Sequence, residues 1–167
     1  MKIRPATVED APSVWETHVS AIRILCRDAY TPEQIEAWAG PRKPEDYRKP
    51  ITDGQLFVAE VAGRVVGFGE FSKEEVRAVY VHPEFGRRGI GTALFRRVVE
   101  ALGKLGVEKA SLDASITSVP FYLAMGCKAG VQQIHRLGSG VEIPCVPMTV
   151  EIRNPPNRFP KPTPGAA

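Results

Sequence analysis

The chain has 167 residues, of which 43% are hydrophobic and 25% charged, and a formal net charge of +3. That length suits one domain with a core of its own, and no stretch nears the roughly 20 apolar residues of a membrane span, which points to the cytoplasm. The charge is too mild for a nucleic-acid binder, yet it leaves room for a local basic cluster facing a small polyanion.

In chain order, Lys2 to Arg4 reads as a short strand. Thr7 is a candidate N-cap for a helix carrying Val14, Trp15, His18, Ala21, Ile22 and Leu25 at helical spacing. Thr31-Pro32-Glu33-Gln34 is a second helix start, a capping box with proline at N1. Leu56 to Val61 and Val65 to Phe71 form a hairpin, and Glu75 to Val81 a third strand of that sheet. Gly89 to Leu102 reads as a helix, Lys109 to Asp113 as a strand, and Val119 to Met125 as a helix closed by Gly126. Two strands, Cys127 to Leu137 and Val141 to Ile152, complete the pattern. The class is α/β or α+β with a mixed sheet, and residues 1–152 form the domain. Residues 153–167 are proline-rich and read as a disordered tail. Cys26, Cys127 and Cys145 show no paired spacing and read as reduced thiols.

The segment Val79 to Leu94 carries the strongest signal. A strand ends at His82-Pro83, a loop with Gly86, Gly89 and Gly91 follows, and a helix begins. Such a loop turns main-chain N–H groups toward one point at a helix N-terminus, an arrangement suited to a pyrophosphate. Arg87 and Arg88 add charge there. A P-loop would need a lysine beside Ser or Thr, and a dinucleotide fingerprint would need glycine where Leu94 stands, so both readings fail.

This segment resembles motif A of the GNAT superfamily, [Gln/Arg]-x-x-Gly-x-[Gly/Ala] after a strand, with Arg88-Gly89-Ile90-Gly91-Thr92-Ala93-Leu94 as the match. Gly86 stands where that signature has Gln or Arg, and Arg87 is the neighbour able to substitute. Leu112 to Cys127, with Phe121-Tyr122-Leu123-Ala124-Met125-Gly126, resembles motif B, with Thr117 in a place where many relatives have Asn. The resemblance implies a mixed, mainly antiparallel sheet of about seven strands with about four helices, splayed to admit acetyl-CoA. It places the acyl donor on Val79, Tyr80 and Val81, on Arg87, Arg88, Gly89, Ile90, Gly91 and Thr92, and on Thr117 and Tyr122.

The implied activity is transfer of an acetyl group to a primary amine of a small molecule or peptide. A CoA-binding module without catalysis is the alternative. Tyr122 matches the family tyrosine that donates to the departing thiolate, and Glu75 occupies the place of a general base. By period-2 alternation Glu75 would share a face with Arg77 and Val79. Glu60, Glu70, Asp113, His135 and ordered water are the other base candidates, while His82 reads as a turn residue and Cys127 as core. Arg23, Arg27, Tyr30, Trp38 and Tyr47 are candidates for recognising the amine, and the final hairpin is a candidate edge for a homodimer.

Overall fold

The structure, a computed structural model, describes residues 1–152, so the proline-rich segment 153–167 lies outside the described residues. One sheet of eight strands runs through the domain in the order β1-β2-β3-β4-β5-β8-β6, with β7 also on β8. These are β1 Lys2–Pro5, β2 Leu56–Val61, β3 Arg64–Ser72, β4 Glu75–Val81, β5 Lys109–Ser115, β6 Lys128–Ala129, β7 Gln133–Arg136 and β8 Glu142–Glu151. All neighbours are antiparallel except β4 and β5. The helices are α1 Ala11–Leu25, α2 Pro32–Ala39, α3 Arg48–Thr52, α4 Ile90–Lys104 and α5 Val119–Ala124. Among the described residues, no helix is long and apolar enough to cross a membrane.

Strand alternation sends neighbouring residues to opposite layers. Val58 and Phe68 pack with Val14 of α1, while Ala59 packs with Ile90 and Leu94 of α4. Helix α4 lies unusually close to β3. A side chain at Gly69 would place its Cβ 2.8 Å from Val98 Cγ2, closer than van der Waals contact allows. Glycine there lets the helix that follows the loop sit directly on the sheet.

Several elements keep the expected limits, and the departures have local causes. Thr7 caps a 3-10 turn, Val8–Asp10, and the α-helix starts only at Ala11. Leu25, expected on the packed face of α1, is 52% exposed, and Cys26 takes the buried position. Thr31 and Gln34 do form the capping box: the Gln34 N–H donates to Thr31 Oγ1 at 3.2 Å and the Thr31 N–H to Gln34 Oε1 at 2.9 Å. Helix α3, which contains Pro50, carries no start signal that periodicity could reveal. The expected strand Cys127 to Leu137 is broken into β6 and β7. Pro147 of β8 has no N–H to continue the ladder, and Gly130 N–H donates to its carbonyl at 2.7 Å.

Candidate functional site

The loop between β4 and α4 leaves a row of donors unused. Among the described residues, no hydrogen bond is donated by the main-chain N–H groups from Arg87 to Thr92; the first helical bond runs from Ala93 to the Gly89 carbonyl at 3.0 Å. Gly89 caps α4 in the left-handed region, φ +76°. Arg87 is also left-handed, at φ +62°, whereas Gly86 sits at φ −59° and needs no glycine. The two residues are thus in the less favourable order, since a non-glycine residue loses about 1 kcal/mol there. Arg87→Gly should raise stability by about 0.5–1 kcal/mol in a denaturant titration. Arg88 lies 5.1 Å from the Phe85 ring centroid and donates to the Glu84 carbonyl at 3.4 Å, so its charge is held beside the loop.

Beside the loop the sheet opens. Strands β4 and β5 pair only at Glu75 and Ser111, and Ser111 N–H donates to the Glu74 carbonyl at 2.9 Å. Past that joint, the facing edges of Val79 to Val81 and Asp113 to Ser115 have no strand between them. Tyr122 approaches from α5, buried among Phe121, Phe95 and Cys127, with the Phe121 ring centroid 5.0 Å away. Its hydroxyl makes no hydrogen bond within the described residues. Burial holds the phenol proton well above its ordinary range, so Tyr122 stays a neutral donor. Thr117 Oγ1 lies at the end of β5, 3.1 Å from Ser115 Oγ.

On the α1 side of the splay lies a cavity of about 180 Å³. Tyr80 and Arg77 of β4 and Asp113 and Ser115 of β5 form one wall, and His18, Trp38 and Arg42 close the other. His18 is 5% exposed; its ring centroid is 4.1 Å from that of Tyr80, and its Nδ1 is 2.9 Å from the Tyr47 hydroxyl. Burial, with Arg42 nearby, pushes His18 well below its ordinary 6.5. The folded state therefore keeps His18 neutral at pH values where the unfolded chain binds a proton. Stability from this group is complete above about pH 6.5 and falls as pH drops below it, by about 1.4 kcal/mol per pH unit until the folded group titrates. Urea titrations between pH 7 and 5 should show that slope, and His18→Gln should flatten it.

These elements and their order are those of a known family. A family model for an acetyltransferase (GNAT) domain matches residues 26–152. The chain belongs to the GNAT acetyltransferase family. It is 28% identical over 133 residues to YafP, an uncharacterized N-acetyltransferase of Escherichia coli K12, covering 80% of this chain and 85% of that one. A GCN5-related N-acetyltransferase from Rhodopseudomonas palustris superposes with a TM-score of 0.83 at 28% identity, over 90% of this chain and 94% of the other. A GNAT phosphinothricin acetyltransferase from Sinorhizobium meliloti, in complex with acetyl-CoA, shares the fold with a TM-score of 0.71 at 19% identity, over 98% and 94% of the two chains.

Within this GNAT enzyme, the residues expected to act divide by position. Val79 and Val81 pack toward Ile90 and Leu94, leaving Tyr80 on the cavity side. The alternation expected to carry Glu75, Arg77 and Val79 on one face fails, because a bulge pairs Glu70 with Ala78 and Phe71 with Val76. Arg77 is the extra residue and turns to the cavity. The Glu75 carboxylate accepts from Arg77 Nη1 at 3.3 Å and lines a surface hollow at the β4–β5 joint, not the cavity of Tyr80. Glu60 is engaged by Arg4 at 3.0 Å, on the β1–β2 side. Glu70 is largely buried beside Arg77, and that burial raises its pKa.

Of the residues expected to meet the amine, Tyr30 and Trp38 line the cavity. The Tyr30 hydroxyl is committed to structure, donating to the Pro144 carbonyl at 2.9 Å and accepting from Ile116 N–H at 2.8 Å. Tyr47 stands behind His18, Arg23 is paired with Glu36 at 3.0 Å, and Arg27 lies exposed beside Asp28. His135 and Asp113 line the cavity, and His82 is a turn residue accepting from Glu84 N–H at 3.4 Å. His18 and Arg42 were not legible as site residues: His18 carries the spacing of a packed helix face, and Arg42 follows a helix end without a motif. The three cysteines are free and buried.

Proposed function

We propose that this enzyme transfers the acetyl group of acetyl-CoA to a primary amine of a small molecule by direct attack. The row of unused N–H groups from Arg87 to Thr92 is the observation that carries the reading. Those donors, the dipole end of α4 and the Arg87 and Arg88 charges fit a pyrophosphate. The open edges of Val79 and Val81 suit an extended pantetheine arm, which would pair with them as an added strand does. Thr117 offers a further hydroxyl. The CoA and acetyl-CoA complexes of fold relatives from Thermoplasma acidophilum and Sinorhizobium meliloti support the choice of donor.

The cavity on the other side of the splay is the place for the amine. Positioning both reactants converts a bimolecular step into an effectively unimolecular one, which lowers the barrier by several kcal/mol. The attacking nitrogen forms the amide bond as the thioester C–S bond breaks, and it must lose a proton. Asp113, the one carboxylate among the residues lining the cavity, accepts that proton through water. Glu75 could serve only by a longer water path past Arg77. The sulfur gains negative charge as it leaves. Tyr122 donates a hydrogen bond to it, and because its phenol holds its proton tightly, it stabilises the developing thiolate instead of surrendering the proton outright.

The test is incubation of the purified protein with acetyl-CoA and a panel of primary amines, following CoA thiol release and product mass together. Thiol release matched by a mass gain of one acetyl group is the expected result. Saturable acetyl-CoA binding with no acetylated amine would favour a CoA-binding regulatory module.

A further inference from the structure

The cavity wall holds a cation, Arg42, that forms no ion pair among the described residues. Trp15 Nε1 donates to the Arg42 carbonyl at 2.9 Å, which fixes the backbone of this residue just after α2. Its guanidinium has no carboxylate within ion-pair distance among the described residues; the Tyr47 hydroxyl beside it and, farther off, the buried Glu70 feel its charge. Its Nε is enclosed without a partner, and the side chain lines the cavity. Neighbouring arginines differ: Arg77 meets Glu75 at 3.3 Å, Arg23 meets Glu36 at 3.0 Å, and Arg136 meets Glu142 at 2.6 Å. A half-buried guanidinium without a counter-charge costs free energy that a bound anion would offset.

His18 gives a second, independent sign. The Tyr47 phenol is pushed up to about 12 by burial and keeps its proton, and His18 Nδ1 is the acceptor it reaches, at 2.9 Å. That leaves the imidazole hydrogen on Nε2, which has no partner. The cavity thus offers a charged fork without a carboxylate and a neutral donor, with Arg42 Nε and His18 Nε2 both lacking an acceptor. A planar fork with five N–H donors matches a carboxylate, and one cation without an ion pair beside a neutral imidazole, Arg77 being paired with Glu75, suits a monoanion better than a phosphate.

We propose that the acceptor is a small amine that also carries a carboxylate, and that Arg42 takes that carboxylate while the amine points to the splay beside Tyr80. The proposal rests on the acetyl-transfer reading given above. It makes Arg42 the residue that selects the substrate.

The experiment gives the full chain saturating acetyl-CoA and a panel of amino acids and ω-amino acids, each beside its own carboxamide. The acids should exceed their amides in kcat/KM by roughly 10- to 100-fold, the effect of charge-assisted hydrogen bonds to one carboxylate. In Arg42→Met that ratio should collapse toward one, and Arg42→Lys, which keeps the charge without the fork, should retain part of it. Equal use of acids and amides by the wild type, or a ratio that survives in Arg42→Met, would overturn the proposal. Acetyl-CoA titration of each variant shows that it is folded and able to bind the donor. If acetyl-CoA binds but no panel amine is acetylated, calorimetric titration with the acids decides: binding that needs Arg42 supports the site, and no binding overturns it. If acetyl-CoA itself does not bind, the acetyl-transfer reading fails, and the same titration on the free protein still tests the carboxylate site.

Discussion

Replacing Tyr122 by phenylalanine should lower kcat about 100-fold while changing acetyl-CoA affinity by no more than about twofold. The phenyl ring keeps the contacts with Phe121 and Phe95, so the packing of α5 on α4 survives. Only the hydroxyl is lost, and it has no hydrogen-bond partner within the described residues. Folding stability should therefore stay within about 0.5 kcal/mol of the wild type. The pairing of unchanged stability with reduced kcat is what separates a catalytic donor from a core aromatic. Steady-state kinetics with any accepted amine, run beside a denaturant titration, gives both numbers. An unaltered kcat would remove Tyr122 from the reaction. Tyr80→Phe is the informative companion, because Tyr80 lines the cavity from β4 and is the other tyrosine whose hydroxyl has no hydrogen-bond partner there.

The largest effect on stability is expected from Phe68→Ala. Phe68 is fully buried at the centre of the α1 layer, with ring centroids of His18, Tyr47 and Tyr80 at 5.2, 5.9 and 5.7 Å. Truncation removes the transfer free energy of a large side chain and leaves a cavity, together about 3–5 kcal/mol. That is a large part of the 5–15 kcal/mol that typically holds a domain together. The loss should reach the proposed amine site as well, since His18 and Tyr80, which rest on Phe68, line the cavity and Tyr47 backs His18. Thermal or urea unfolding measures the first effect. The second is a raised KM for the amine with acetyl-CoA binding retained at low temperature, because the loop at Arg87 to Thr92 belongs to the other layer. A destabilisation below about 1 kcal/mol would contradict this account of the core.

Much of this architecture can be read from residue patterns, and the exceptions have physical reasons. The capping box at Thr31 and Gln34, the hairpin through Ala62 and Gly63, and the loop into α4 are local signals whose chemistry acts over a few residues. They therefore survive in a sequence read alone. The bulge at Arg77 is not local: it arises where β3 and β4 fall out of register, and it changes which face Arg77 serves. The break between β6 and β7 depends on Pro147 in a different strand. The proposed donor half draws on two continuous segments, Val79 to Thr92 and Thr117 to Tyr122, and each shows a motif. The proposed amine half is assembled from α1, α2 and the segments flanking it, β4, β5, β7 and β8, so no run of residues announces it. Arg42 and His18 gain meaning only when their surroundings show that Arg42 Nε and His18 Nε2 are enclosed without a partner among the described residues.

The central claim is that the loop and splay hold acetyl-CoA. Calorimetric titration of the purified protein with acetyl-CoA, beside ATP and NAD as controls, tests it most directly. Saturable binding of acetyl-CoA with none of ATP or NAD is the predicted result. Absence of acetyl-CoA binding, or equal binding of all three, would contradict it.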